Sequence, residues 1–164
     1  MSAIAPAITR YLQRVRATRV QLLAFVMAVW LTSNFPVALA INPSFPTEHA
    51  HARTVHLLFI PITVNGWHAV FHLVTGAAGL YAVRTRRGAT TYAAAAAVIY
   101  LATAFLCAMD WTVMCRFMAV DTFGNVVHAL EGLTLAAIAA YALIGNSATR
   151  VARTPHSVTT TEPS

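Results

Sequence analysis

Apolar residues gather into four runs separated by short polar stretches. The runs cover about residues 20–41, 62–83, 91–109 and 123–144. A membrane helix needs about 20 mostly apolar residues, so each run predicts one span. The first run holds Asn34 and Pro36, which a spanning helix tolerates when neighbours satisfy the freed backbone groups. Its apolar part exceeds the about 7–15 residues of a signal-peptide core, and no clean small-residue cleavage site comes before Asn42-Pro43. The run is therefore expected to persist as a helix. The predicted organisation is a basic segment over 1–19, a four-helix transmembrane domain over 20–146, and a Ser/Thr/Pro-rich tail over 147–164 that is expected to be disordered.

Composition agrees with this pattern. Hydrophobic residues make up 58% of the 164 residues and charged ones 10%, where a soluble domain carries about 25% charged residues. Mean hydropathy is +0.63. An ordinary soluble enzyme and a disordered chain are both excluded.

Charge sets the orientation. The basic residues are eleven arginines, against five acids. Arg10, Arg14, Arg16 and Arg19 precede the first run; Arg84, Arg86 and Arg87 lie between the second and third; Arg150 and Arg153 follow the fourth. Arg53 and Arg116 fall on the other side. This bias predicts both termini in the cytoplasm. It also accounts for the net charge of +6 through anionic lipid, so nucleic acid is not expected as a partner. The lipid bilayer is, with another copy of the chain or other membrane proteins beside it.

The two external loops are expected over about 42–61 and 110–122. Cys107 and Cys115 both lie near the second, where a disulfide persists; a bridge and two free thiols both remain open. The first loop holds His49, His51 and His56, which read as a solvated polar stretch or a zinc or copper site. Trp67, Tyr92 and Trp111 are placed to anchor at the membrane interfaces, and Trp30 to pack in the bundle or against lipid.

Two runs share a motif. His72-Leu73-Val74-Thr75-Gly76 and His128-Ala129-Leu130-Glu131-Gly132 both read His-x-x-x-Gly, 56 residues apart. Seven residues before each histidine stands a polar residue, Asn65 or Asp121. Duplication of a helical hairpin explains the match.

Further motifs carry a family resemblance. They are Asn65-Gly66-Trp67-His68 through His72, then Gly76-Ala77-Ala78-Gly79-Leu80; Arg87-Gly88-Ala89 with Tyr92 and Val98-Ile99-Tyr100-Leu101; and Asp121-Thr122 with Asn125-Val126-Val127-His128 and Gly132. Over about residues 57–144 the chain resembles the actinobacteria-rich four-helix membrane family known as domain of unknown function 4383 (DUF4383). It departs from that family at Ala69, where Asn follows the first histidine, and at Gly124-Asn125, where the pair is Asp-Asn. The resemblance implies a fold and a bacterial plasma-membrane location and carries no activity.

The expected fold is thus all-α: an integral membrane four-helix bundle built from two repeated hairpins. Residues at i, i+3, i+4 and i+7 share a helix face. Asn65, His68, His72, Gly76 and Gly79 form one stripe, and Asn125, His128, Glu131 and Gly132 another. The glycines Gly76, Gly79 and Gly132 let helices approach closely. Ionisable groups at membrane depth face inward with a partner, so the two stripes are expected to meet. In the simplest case His72 and His128 hydrogen-bond across the interface, Glu131 accepts from one of them, no cofactor binds, and the protein is a non-enzymatic accessory or structural component of the membrane. The alternatives are a transition metal held by His68, His72, His128 and Glu131, a haem b with His72 and His128 as axial ligands, and a proton or ion relay through His72, His128 and Glu131. No Gly-x-Ser-x-Gly, His-Glu-x-x-His or phosphate loop is present. Asp110 and Asp121 read as charges at helix ends. No catalytic residue is assigned.

Overall fold

In the computed structural model, residues 4–46, 53–57, 60–109, 115 and 117–151 are described. The chain is mostly helical. α1 (Ile4–Val15) leads into α2 (Arg19–Ile41); a hairpin of β1 (Arg53–Leu57) and β2 (Ile60–Val64) follows; α3 (Gly66–Ala82), α4 (Arg86–Ala108) and α5 (Thr122–Val151) complete the order. By length and composition, α2, α4 and α5 are able to cross a membrane. α3, with 17 residues, is shorter.

That shortness corrects the predicted second span. The apolar run over 62–83 divides, because residues 62–64 pair in β2 against β1, from Arg53↔Val64 to Leu57↔Ile60. Ile60, Ile62, Thr63 and Val64 are β-branched and favour extended chain. Asn65 then opens the helix: its Oδ1 accepts the His68 backbone N–H at 3.0 Å. The purely helical expectation thus gives way to a mostly helical chain with a hairpin where a loop was read.

Threonines open two of the long helices in the same way. Thr18 accepts from the Gln21 N–H and Thr85 from the Gly88 N–H, each satisfying an orphan donor of a first turn. Gln21 also donates to the Arg14 and Val83 carbonyls, joining the ends of α1, α2 and α3. The basic N-terminal segment is itself helical. Its Ile4, Ile8, Tyr11 and Val15 fall on one face; Val15 is buried, and the Tyr11 hydroxyl donates to the Leu80 carbonyl at 2.8 Å. At the other end of the chain, α5 continues past residue 146 to Val151. Residues 152–164 of the predicted tail lie outside the described residues.

Consecutive helices pair: α2 packs chiefly on α3, and α4 on α5. The seams are lined by small residues, Ala24 and Ala28 on α2 and Ala89, Ala93, Ala96 and Ala97 on α4, all buried. At the glycines the backbones nearly touch. A methyl added at Gly76 would lie 2.9 Å from Thr32 Cα; one at Gly79 would lie 2.7 Å from Ala28 Cβ and strike the Tyr92 ring; one at Gly132 would lie 3.0 Å from the Leu101 backbone nitrogen. Tyr92, expected at an interface, is instead buried in the core. The outward faces are apolar, with Val26 and Val29, Val98 and Phe105, and Leu130 and Leu133 all exposed. Such a surface suits lipid, because a soluble monomer rarely exposes so much contiguous apolar area.

Cys107, in the last turn of α4, forms a disulfide with Cys115 at a Cα–Cα distance of 5.5 Å, which resolves the two alternatives left open by the sequence. The following turn folds back through Ala119, at φ 53, so that the Val120 N–H reaches the Cys115 carbonyl at 3.0 Å.

Gly76→Val is expected to destabilise the protein by about 1–3 kcal/mol through overpacking. Thermal unfolding in detergent reads this directly, and an unchanged melting temperature would show that α2 and α3 do not meet at this glycine.

Candidate functional site

Two helix caps set the site. Seven residues before His72, Asn65 caps α3. Seven residues before His128, Asp121 occupies the matching place on α5, its Oδ1 accepting the Gly124 N–H at 2.7 Å. The polar residues noted ahead of each histidine are therefore helix-start signals. Each fixes where its helix begins, and so how far along it the histidine stands.

The imidazoles of His68, His72 and His128 converge. His68 Nε2 lies 3.1 Å from His72 Nε2 and 3.2 Å from His128 Nε2. One ligand nitrogen from each lies within 4.8 Å of the others. All three residues are buried, His128 to 1% exposure. His68 and His72 stack with an interplanar angle of 15°, as an i, i+4 pair on one face allows. His128 comes from α5. Phe71 packs beside His72, His128 and Tyr100. The expected direct bond between His72 and His128 is replaced by an arrangement with His68 at its centre.

A hydrogen-bond chain orients His72. The Thr75 hydroxyl donates to the Phe71 carbonyl at 2.8 Å, so Thr75 Oγ1 is left to accept from Tyr100 at 2.9 Å. The Tyr100 oxygen then accepts from His72 Nδ1 at 3.1 Å. With its proton on Nδ1, a neutral His72 presents the Nε2 lone pair to the cluster. Thr75, inside the His-x-x-x-Gly motif, and Tyr100, inside the family motif Val98-Ile99-Tyr100-Leu101, were given no site role by the sequence; that Tyr100 meets His72 could be found only by packing.

The remaining predicted residues stand apart from the three rings. Asn65 caps α3 and donates to the Phe117 carbonyl at 2.7 Å, which holds the turn after the disulfide against the end of α3. Trp67 stacks on Phe117, with ring centroids 4.5 Å apart. Asn125 is half-buried, and its Oδ1 makes no hydrogen bond among the described residues. Glu131 accepts from the Trp30 indole N–H at 2.8 Å instead of from a histidine, and it is not part of the convergent group. Its other oxygen is buried and makes no hydrogen bond among the described residues. Gly76, Gly79 and Gly132 face neighbouring helices of the same chain. In the first loop, His56 is exposed on β1, and His49 and His51 lie outside the described residues.

A cavity of about 250 Å³ adjoins the cluster, bounded by α2, β2, α3 and the start of α5. His68, His72 and His128 form one wall and Asp121 stands near them; the rest is mostly apolar, including Val37, Ile41, Ile62 and Val127.

A family model described as Domain of unknown function (DUF4383) matches residues 21–141. No curated protein and no solved structure matches the chain.

Asn65→Ala removes the cap of α3 and its link to Phe117, and is expected to cost about 1–2 kcal/mol. Asn65→Ser keeps a capping oxygen and loses the link to Phe117. Unfolding in detergent should therefore rank the wild type above Asn65→Ser and Asn65→Ser above Asn65→Ala. Equal stability of the two variants would mean that the cap contributes nothing.

Proposed function

The chain belongs to the family described as Domain of unknown function (DUF4383), and on that premise we propose that it is a multi-pass membrane protein whose three converging histidines hold a transition-metal ion. The observation that carries this is the spacing of the ring nitrogens. Tetrahedral zinc with nitrogens at about 2.0–2.1 Å would place its ligand atoms about 3.3 Å apart; the two close pairs here are at 3.1 and 3.2 Å, and one ligand nitrogen from each of the three rings lies within 4.8 Å of the others. Protons alone serve such a group poorly. A neutral imidazole nitrogen either donates one hydrogen or offers one lone pair, so His68 Nε2 makes a good bond to one neighbour and leaves the other contact unsatisfied. A cation among the three lone pairs removes that conflict.

The donor set suits zinc, copper, iron or nickel, for which imidazole is a common ligand. It does not suit haem. A macrocycle between His72 and His128 would have to displace His68, whose Nε2 stands beside both. Glu131 is left out of the ligand set, engaged by Trp30. The Tyr100–Thr75 chain would hold His72 in the ligating tautomer, a supporting role that typically matters 10- to 100-fold in metal affinity. A role as a non-enzymatic accessory or structural membrane protein remains in keeping with this, because the same cluster joins α3 to α5.

For the membrane arrangement the proposal is a four-helix bundle with α3 as its short member, both termini cytoplasmic, in a bacterial plasma membrane. The arginine distribution supports the orientation. The pairing of α2 with α3 and α4 with α5, with matched caps seven residues before matched histidines, supports two repeated hairpins.

Full-length protein purified in detergent is expected to take up about one equivalent of zinc or cobalt, with binding weakened at least tenfold in His72→Ala and in His128→Ala. Tyr100→Phe should fold normally and bind 10- to 100-fold more weakly. Failure of the folded wild type to bind any first-row metal in a titration sinks the reading. For topology, a green fluorescent protein fused to the C-terminus should fluoresce and an alkaline phosphatase fused there should be inactive; the reverse pattern would place the C-terminus outside.

A further inference from the structure

The cavity beside the cluster is lined mostly by apolar side chains from α2, β2 and α5, together with Asn34 and Thr63, and its ionisable members are the three imidazoles and Asp121. Val37, Trp30 and Phe123, which also line it, are exposed on the outer face of the helices. Its opening thus lies on a surface that suits lipid. A three-histidine site with tetrahedral preference leaves one position for a further ligand, and here all three ligating rings border the same cavity.

Charge narrows the ligand class. Three neutral imidazoles leave both charges of a divalent ion uncompensated in a low-dielectric interior, where unpaired charge is costly. Asp121 lines the same cavity, and a carboxylate there would offset one charge. An anionic oxygen donor would offset the other. Size narrows it again, since about 250 Å³ accommodates a short chain as a whole.

We infer that this cavity binds a short-chain alkyl carboxylate drawn from the bilayer, its tail along the apolar wall and its head at the three histidines, as the further ligand of the metal. This rests on the metal reading above for the head and on the cavity alone for the tail.

The test uses full-length protein in nanodiscs, loaded with cobalt, whose visible bands report coordination. Octanoate is expected to shift those bands, and azide should do so as well. Filling the cavity with Val127→Phe on α5, or with Val37→Phe on α2, should weaken the octanoate response at least tenfold and leave the azide response in place. If azide shifts the bands and octanoate does not, or if both filled variants respond to octanoate as the wild type does, the inference is overturned and the metal site stands. A second readout needs no metal: 8-bromooctanoate should quench the emission that Trp30→Phe removes, and either filled variant should relieve the quenching. If cobalt does not load, the metal reading and the placement of the head both fall. Relief of quenching would then keep the tail site, and quenching that is absent or unrelieved would overturn that as well.

Discussion

Helices built on small residues come close enough for their backbones to touch, and the polar geometry of this protein depends on that closeness. Gly76 lies against the Thr32 backbone and Gly79 against Ala28 and Tyr92, while Gly132 lies against Leu101. Gly76 is one turn beyond His72, and Gly132 one turn beyond His128. The approach that these glycines permit holds each histidine helix against its neighbour at the depth where the imidazoles sit. In an apolar medium such packing, and not hydrophobic exclusion, drives helix association. A larger side chain at these positions would force the paired helices, α2 with α3 and α4 with α5, to shift apart.

The buried polar groups follow from that constraint. A polar side chain away from water must find a partner within the protein. Gln21 finds two carbonyls, Asn65 a first-turn N–H and the Phe117 carbonyl, and Glu131 the Trp30 indole. The three imidazoles find mainly one another, with Tyr100 and Thr75 behind one of them. Partial satisfaction of this kind is costly for a group with no further role. The proposed metal ion would use the imidazole lone pairs and relieve that cost. The disulfide and the turn through Ala119 complete the same end of the fold by holding Phe117 over Asn65 and Trp67.

Much of this was legible in the chain. The apolar runs marked the long helices, the helical period put His68 and His72 on one face, and the repeated His-x-x-x-Gly set Gly76 and Gly132, on which the packing depends, one turn beyond His72 and His128. The reading failed where several structures share one local pattern. Residues 62–64 are as apolar as a span, yet their β-branching and the cap at Asn65 place them in a strand. Tyr92 has the composition and position of an interfacial anchor, but it fills the space left by Gly79. Asn65 shares a face with the histidines and was read as site polarity, although it serves as a cap, whereas Asp121, read as a helix-end charge, does sit at the start of α5.

What the sequence determined by itself is local or compositional: the helical character, the preference for an apolar surrounding, and the faces on which glycine and histidine fall. These follow from the helical period and from transfer energetics, which act residue by residue. Only the tertiary structure decided partners. That His68 stands between His72 and His128, that Glu131 turns to Trp30, and that Tyr100 supports His72 all depend on which helix lies opposite and at what rotation. Those relations are set jointly by packing across four helices, and no single stretch of sequence contains them.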